Sequence, residues 1–342
     1  MRLLVTGGAG FIGSNFVHYA LEQHPDWEIV NLDKLTYAGN PANVADLDGH
    51  PRHRFVKGDI CDREVVEQCV RGAEVIVNFA AESHIDRSIA NASDFLMTDV
   101  YGVYVLLEAA RKLATQRLVH ISTVEVYGEA GESPPDEEGP LRPKSPYAAS
   151  KAGGDRLAYS YFTTYKTPVV IVRCVNNYGP YQYPEKVIPL FVTNAMEGEP
   201  LPLYGTGRNT REWVAVLDHC RAIDLLVTAE GVEGEAFNVG SGVELSVWDI
   251  AQRVLEHLGQ PRSLARLVED RLGHVQRIAL NWRKIRERLG WEPQIDIDAG
   301  LRDTMEWYRQ HESWWRPLKS GEYRRFYEQQ YAERLGQQEE KR

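Results

Sequence analysis

Cysteine is scarce in this 342-residue chain. The four present, Cys61, Cys69, Cys174 and Cys220, show neither metal-ligand spacing nor the density of a disulfide framework, so we expect idle thiols in a reducing compartment and no bound metal. Long apolar runs are also missing: nothing approaches the ~20 residues of a membrane span, and no leader-like segment precedes the first strand-like run. A cytoplasmic protein is the expectation. Positive charge falls short as well. With 39 Lys and Arg against 49 Asp and Glu, the formal charge of −10 disfavours a nucleic-acid groove or an anionic membrane surface. There is no internal repeat and no low-complexity segment.

What is present begins with a 43% hydrophobic content, enough for a sizeable core in one large or two modest domains. Short β-branched runs alternate with helical patterns: residues 3–6, a helix from Phe11, then 28–33, 54–59, 75–81, 118–123 and 169–175. Such alternation predicts βαβ units and a parallel sheet. The stretches 95–113 and 147–165 are long enough for crossover helices. After Asn176 the pattern breaks into Pro-rich turns and interrupted helices. We expect an α/β fold with a Rossmann-type doubly wound parallel sheet over 1–175, to which 212–240 returns, a smaller C-terminal α/β substrate lobe from 176–211 and 241–330, and a polar tail over 331–342.

The string Gly7-Gly8-Ala9-Gly10-Phe11-Ile12-Gly13 follows a strand and opens a helix. Gly7 permits the tight turn, Gly10 the approach of a diphosphate and Gly13 the packing of helix on strand, with phosphates at the helix N-terminus. Asp33 ends the second strand twenty residues beyond Gly13, where a carboxylate holds an adenosine ribose and opposes a 2′-phosphate. Asp59 is placed to border the adenine. NAD is the cofactor this predicts; Lys34 is the neighbouring cation that could favour NADP instead.

Tyr147 and Lys151 stand four residues apart on one predicted helix face, beyond Ser122-Thr123-Val124-Glu125-Val126-Tyr127-Gly128. A lysine ammonium beside a phenol favours the phenolate, so Tyr147 is expected to have a lowered pKa and to serve as general base toward a substrate hydroxyl.

These residues resemble the extended short-chain dehydrogenase/reductases that act on nucleotide sugars. Four stretches look most like the dTDP-glucose 4,6-dehydratase family: residues 80–88, 176–186, 209–213 and 270–274. The resemblance covers nearly the whole chain. It implies that Tyr147 deprotonates the sugar 4-hydroxyl during C4 oxidation, that Lys151 tunes the phenol and holds the nicotinamide ribose, and that Thr123 binds the same hydroxyl. Glu125 then removes the C5 proton, water leaves from C6, and reduction at C6 restores NAD. Cofactor contacts would include Gly7, Gly10, Phe11, Ile12, Gly13, Asp33, Lys34, Asp59, Ile60, Ala80 and Ala81. Substrate contacts would come from Ser83, His84, Asn177, Lys186, Arg211, Asn238, His274 and Arg277, with Arg211 on the diphosphate because a guanidinium matches phosphate oxygens with a planar fork. A homodimer is implied too, through helices carrying Leu106, Leu107, Leu157, Tyr161 and Phe162, although these residues could equally cover the sheet.

Three positions depart from the family. Val124 stands where an aspartic acid protonates the departing 6-hydroxyl, Asp99 replaces an asparagine and Val275 an aspartate. General acid catalysis contributes ~10²–10⁴-fold, so Val124 bears directly on the elimination. It keeps open a nucleotide-sugar 4-epimerase or a UDP-hexuronate decarboxylase, neither of which needs that acid. A redox-inert NAD-binding regulator is the reading from another class. Blander roles stand beside several assignments: Glu125 as a loop carboxylate, Arg211 in an ion pair, His84 and its neighbours capping a helix, and Trp307, Trp314 and Trp315 as packing anchors.

Overall fold

The computed structural model describes residues 1–332 and Leu335; the rest of the expected tail lies outside the described residues. Six strands alternate with helices through the first half: β1 (Arg2–Thr6), β2 (Glu28–Asp33), β3 (His53–Lys57), β4 (Val75–Asn78), β5 (Arg117–Thr123) and β6 (Val169–Cys174). The helices between them are α1 (Phe11–Gln23), α2 (Arg63–Val70), α3 (Ile85–Ala90), α4 (Ser93–Leu96), α5 (Val103–Leu113) and α6 (Pro146–Tyr165). The second half adds β7 (Asn176–Tyr178), β8 (Leu201–Tyr204), β9 (Thr210–Ala215), β10 (Ala236–Val239), β11 (Glu244–Ser246), β12 (Ala265–Val268) and β13 (Arg277–Ile278). Its helices are α7 (Val187–Glu197), α8 (Val216–Thr228), α9 (Val247–His257), α10 (Arg283–Leu289), α11 (Ile297–Gln310), α12 (Glu312–Leu318) and α13 (Glu322–Tyr327).

A seven-stranded sheet runs in the order β10-β6-β5-β4-β1-β2-β3, every pair parallel. Strand order reverses between β1 and β4, so a crevice opens beyond their C-terminal ends, where such sheets bind ligands. Alternation along the strands feeds two cores. Leu3, Val5, Val77, Val119 and Val172 point to the side covered by α1 and α8, while Leu4, Ile76, Leu118 and Ile171 point to α2, α5 and α6. Because both faces are covered, β5 is buried at all seven positions, and each large apolar side chain so enclosed contributes about 1.5–3 kcal/mol.

The β9 stretch departs from expectation. Residues 213–216 do not rejoin the main sheet: β9 is the centre of a second sheet, flanked by β11, β13 and β7, and the chain turns into α8 at Val216. Only β10 of the 212–240 segment pairs with β6. The second sheet packs with α7, α9, α11 and α12 into a separate core that includes Phe191, Leu203, Trp213, Ile250, Tyr308 and Trp315.

The expected helix over 95–113 is in three pieces, α4, a π-helical turn over Met97–Gly102, and α5. Its Leu106 and Leu107 are fully buried, so they cover the sheet. Helix α6 starts where the sequence instructs it to: Ser145 Oγ accepts the Ala148 N–H at 3.1 Å, and Pro146 occupies the first turn, where its missing N–H loses no bond.

Candidate active site

One cavity of about 430 Å³ runs from the glycine turn across the ends of β1, β4 and β5 to the second lobe. At its first end, Gly7 has φ +73° and an added Cβ would fall 2.6 Å from the Ala80 N, while a Cβ on Gly13 would strike the Gly7 carbonyl. Gly10 supplies no side-chain cap and the first turn of α1 holds no acid, so N–H groups at the positive helix end face the cavity. Phe11, Ile12, Ile60, Ala80 and Ala81 line the same end.

Asp33, 8% exposed, accepts the Ala9 N–H at 2.9 Å and the Leu35 N–H at 2.7 Å. Burial pushes its carboxyl above the usual range, partly offset by those two bonds. Each oxygen keeps a lone pair for a ribose hydroxyl. Lys34 is tied to Asp59 at 2.8 Å, so the cation that could have favoured a 2′-phosphate is already neutralised. The turn, the helix end and the carboxylate fit a dinucleotide without a 2′-phosphate.

Midway, β5 ends at Thr123, which caps the next turn by accepting the Glu125 N–H at 3.2 Å and hydrogen-bonds the Tyr147 phenol. Lys151 is 4% exposed and donates to the Ile121 carbonyl at 2.7 Å. Thr123, Glu125, Tyr147 and Lys151 all line the cavity. The expected lowering of the Tyr147 pKa is not found. Burial, then the nearby Asp99 and Glu125, hold the phenol above its ordinary value, against the Thr123 bond. Burial lowers Lys151 as well, against Asp99 and Asp155, because a low-dielectric setting disfavours its ammonium. Val124, 2% exposed, is part of the apolar core beside this strand end.

The far end gathers cations in an acidic protein. Lys186, Arg211 and Arg271 line it together with Ser83, His84 and His274. Lys186 donates to the Ser83 carbonyl. Arg211 rests on the carbonyls of Thr210 and Val275 at 2.8 and 3.0 Å, and burial brings it down to about 10. It does not pair with Glu212, whose carboxylate instead accepts N–H groups from Ser241, Gly242 and Leu280. Burial, with Arg271 close by, takes His274 down to about 4 despite its Asp270 bond, so the ring is neutral near pH 7.

Two expected substrate contacts, Asn238 and Arg277, lie outside the cavity lining. Asn238 is fully buried; its Oδ1 accepts the Tyr127 hydroxyl and its Nδ2 donates to the Pro135 and Asn281 carbonyls, which locks it inside the edge of the main sheet. Arg277 forks onto Glu244 at 2.6 and 2.8 Å and reaches the Gly131 carbonyl, away from the cavity lining. Asn177 does line the cavity, but its amide hydrogens go to Cys174 Sγ and the Val175 carbonyl, and its Oδ1 faces His219 Nδ1 at 3.0 Å. Sequence reasoning gave no role to Arg271 or Tyr204, which form one cluster with Asp86: Arg271 lies 3.6 Å from Asp86 and the Tyr204 hydroxyl donates to Asp86 at 3.2 Å. Arg271 stood in a family-like stretch and could have been found there; Tyr204 carried no motif.

The chain has relatives among known proteins. The chain is 49% identical over 324 residues to a dTDP-glucose 4,6-dehydratase of Streptomyces niveus, covering 94% of this chain and 96% of that one. A crystal structure of DesIV, a dTDP-glucose 4,6-dehydratase from Streptomyces venezuelae with NAD and dTDP bound, is 52% identical and superimposes with a TM-score of 0.91 over 93% of this chain and 100% of that one. The Bacillus anthracis dTDP-glucose 4,6-dehydratase in complex with NAD is 46% identical, with a TM-score of 0.87 and coverage of 93% and 100%. Residues 4–304 match the family described as GDP-mannose 4,6 dehydratase, and the chain belongs to that family.

Proposed function

We propose that the protein is an NAD-dependent hydro-lyase that converts dTDP-glucose to dTDP-4-keto-6-deoxyglucose. The observation that carries this reading is the continuity of one cavity, with a dinucleotide turn at one end, Tyr147, Thr123 and Glu125 in the middle, and Lys186, Arg211 and Arg271 at the other. Relatives of about half identity that hold NAD or dTDP support both ligands. The N-terminal lobe would hold the cofactor and the second lobe the nucleotide diphosphate.

Bound NAD would accept an electron pair at C4 and return it at C6. The chain's own residues handle protons and position. Tyr147 takes the 4-hydroxyl proton while Thr123 holds that oxygen. Lys151 keeps two N–H groups beyond its Ile121 bond, free for a ribose and for the charge that develops on the phenol. The 4-ketone acidifies C5, and Glu125 takes the C5 proton. With Val124 in the acid position, Glu125 is the carboxyl at this strand end left to return that proton to the departing 6-hydroxyl. Arg211 and Arg271 neutralise the diphosphate, and Lys186 holds the Ser83 loop against the sugar.

Val124 is also what favours the second reading, C4 oxidation without elimination. Purified protein incubated separately with dTDP-glucose, UDP-glucose, UDP-glucuronate and GDP-mannose, with products weighed by mass spectrometry, decides between them. Loss of water from dTDP-glucose supports the dehydratase; loss of carbon dioxide or an isobaric isomer supports the alternative.

A second copy of the chain is the partner this reading favours. Leu96, Met97, Tyr159 and Tyr165 are 55%, 50%, 44% and 54% exposed on the two helical segments expected to pair. Sedimentation at twice the monomer mass tests it. No described helix is long and apolar enough to cross a membrane, and four free cysteines fit the reducing cytoplasm.

A further inference from the structure

Asp99 sits in the π-helical turn Met97–Gly102 and is 1% exposed. Turns of this kind inside helices are frequent at functional sites. This one is pressed onto α6, since a Cβ on Gly154 would collide with the Asp99 carbonyl. Asp99 Oδ1 accepts the Glu82 N–H at 3.0 Å. Oδ2 lies 2.7 Å from Ser150 Oγ, and the same Ser150 Oγ lies 2.8 Å from the Tyr147 carbonyl. Asp99 thus joins the loop lining the cavity to the helical turn that carries Tyr147 and Lys151.

The serine geometry bears on protonation. Ser150 has one hydroxyl proton and two oxygens within reach, and the Tyr147 carbonyl can only accept. Both contacts are hydrogen bonds at once only if the carboxyl carries a proton: Asp99 O–H donates to Ser150 Oγ, and Ser150 O–H donates to the Tyr147 carbonyl. With Asp99 ionised, Ser150 must abandon one partner.

We propose that Asp99 is a titrating positioning residue for the base: as a neutral acid it donates to Ser150 and fixes the first turn of α6, and as a carboxylate it releases that relay and opposes ionisation of Tyr147. This rests on Tyr147 acting as the base. The surrounding groups agree with an exchange between the two forms. Burial pushes Asp99 up to about 6, while Lys151, Ser150 and the Glu82 N–H pull it back. After burial, Asp99 is the largest influence raising Tyr147 and the largest raising Lys151. The other groups facing this cluster are Glu125, which also raises Tyr147, Glu82, itself raised by burial, Asp99 and Asp94, Asp155 on α6, which raises Lys151, and His120 on β5, held low by burial and Lys151.

Asp99→Asn tests the proposal, because its amide can donate to Ser150 and accept from Glu82 while never ionising. In infrared spectra of the NAD-loaded protein, wild type should show a buried carboxylic-acid band that fades with a midpoint near 6, and Asp99→Asn should lack it. The acid limb of the C4-oxidation rate should move down by roughly one pH unit in the variant, since a negative charge beside the phenol is gone. Ser150→Ala should keep the band, since burial and not Ser150 is what raises Asp99. A band unchanged in Asp99→Asn overturns the protonation. A missing band with an unmoved acid limb overturns the coupling to Tyr147. The infrared arm needs no turnover, so it stands even if Tyr147→Phe still oxidises C4 and the functional reading itself fails.

Discussion

The two ends of the cavity are built differently. The dinucleotide end is built mainly of backbone, a glycine turn, a helix N-terminus and strand ends, with the Asp33 carboxylate beside them, all within the first 81 residues apart from Tyr147 and Lys151. The substrate end is made of side chains, and they come from residues as far apart as Ser83, Lys186, Arg211, Arg271 and Tyr331. A site made of backbone is not altered by exchanging one side chain, whereas a site made of side chains is. Damage to the first end or to the base should therefore stop every substrate, and damage to the second should change affinity and choice.

The largest effect expected is from Tyr147→Phe, which should lower C4 oxidation by ~10²–10⁴-fold with any accepted sugar nucleotide, read as loss of reduced-nicotinamide absorbance in single turnovers. Retained oxidation would break the comparison at its centre. Arg211→Ala should raise KM for the sugar nucleotide by roughly 10- to 100-fold, the worth of a charge-assisted hydrogen bond to phosphate, with a smaller change in kcat. A fall in kcat alone would move Arg211 out of diphosphate binding.

Legibility in the sequence follows the same division. The glycine turn, Asp33 and the Tyr147/Lys151 spacing are local patterns, and the seven-stranded sheet follows from runs whose periodicity is visible residue by residue. Asn238 and Arg277 misled because a polar residue near a family motif reads alike whether its amide faces a ligand or, as here, the Pro135 and Asn281 carbonyls. Residues 213–216 misled because a buried β run does not say which sheet it joins, and β9 pairs with β7, β11 and β13 only through long-range contacts. The Tyr147 pKa misled for a different reason: spacing places a lysine on the right face, but shows neither the burial of the phenol nor the carboxylates of Asp99 and Glu125 beside it.

Two further changes sharpen the contrast. Val124→Asp should speed water loss about tenfold at an unchanged rate of C4 oxidation, followed by separate measurement of the two steps; an unchanged elimination rate would mean Glu125 already delivers the proton efficiently. Asp99→Asn should change stability in a pH-dependent way. The folded carboxyl titrates near 6 and the unfolded one near 3.8, so the folded protein binds more protons between those values and wild-type stability falls as pH rises through that window. The variant escapes the loss. It should come close to wild type at pH 4 and exceed it at pH 8 by ~2–3 kcal/mol in urea titrations, and an equal difference at both pH values would show that Asp99 does not titrate.

The central claim is that one cavity oxidises C4, eliminates across C5 and C6, and returns the same electron pair to C6. The direct measurement is turnover of dTDP-glucose carrying deuterium at C4, with the product's mass and deuterium position read by mass spectrometry and NMR. The account predicts a product lighter by one water with deuterium at C6. An isobaric product with deuterium still at C4, or a dehydrated product without deuterium, would contradict it.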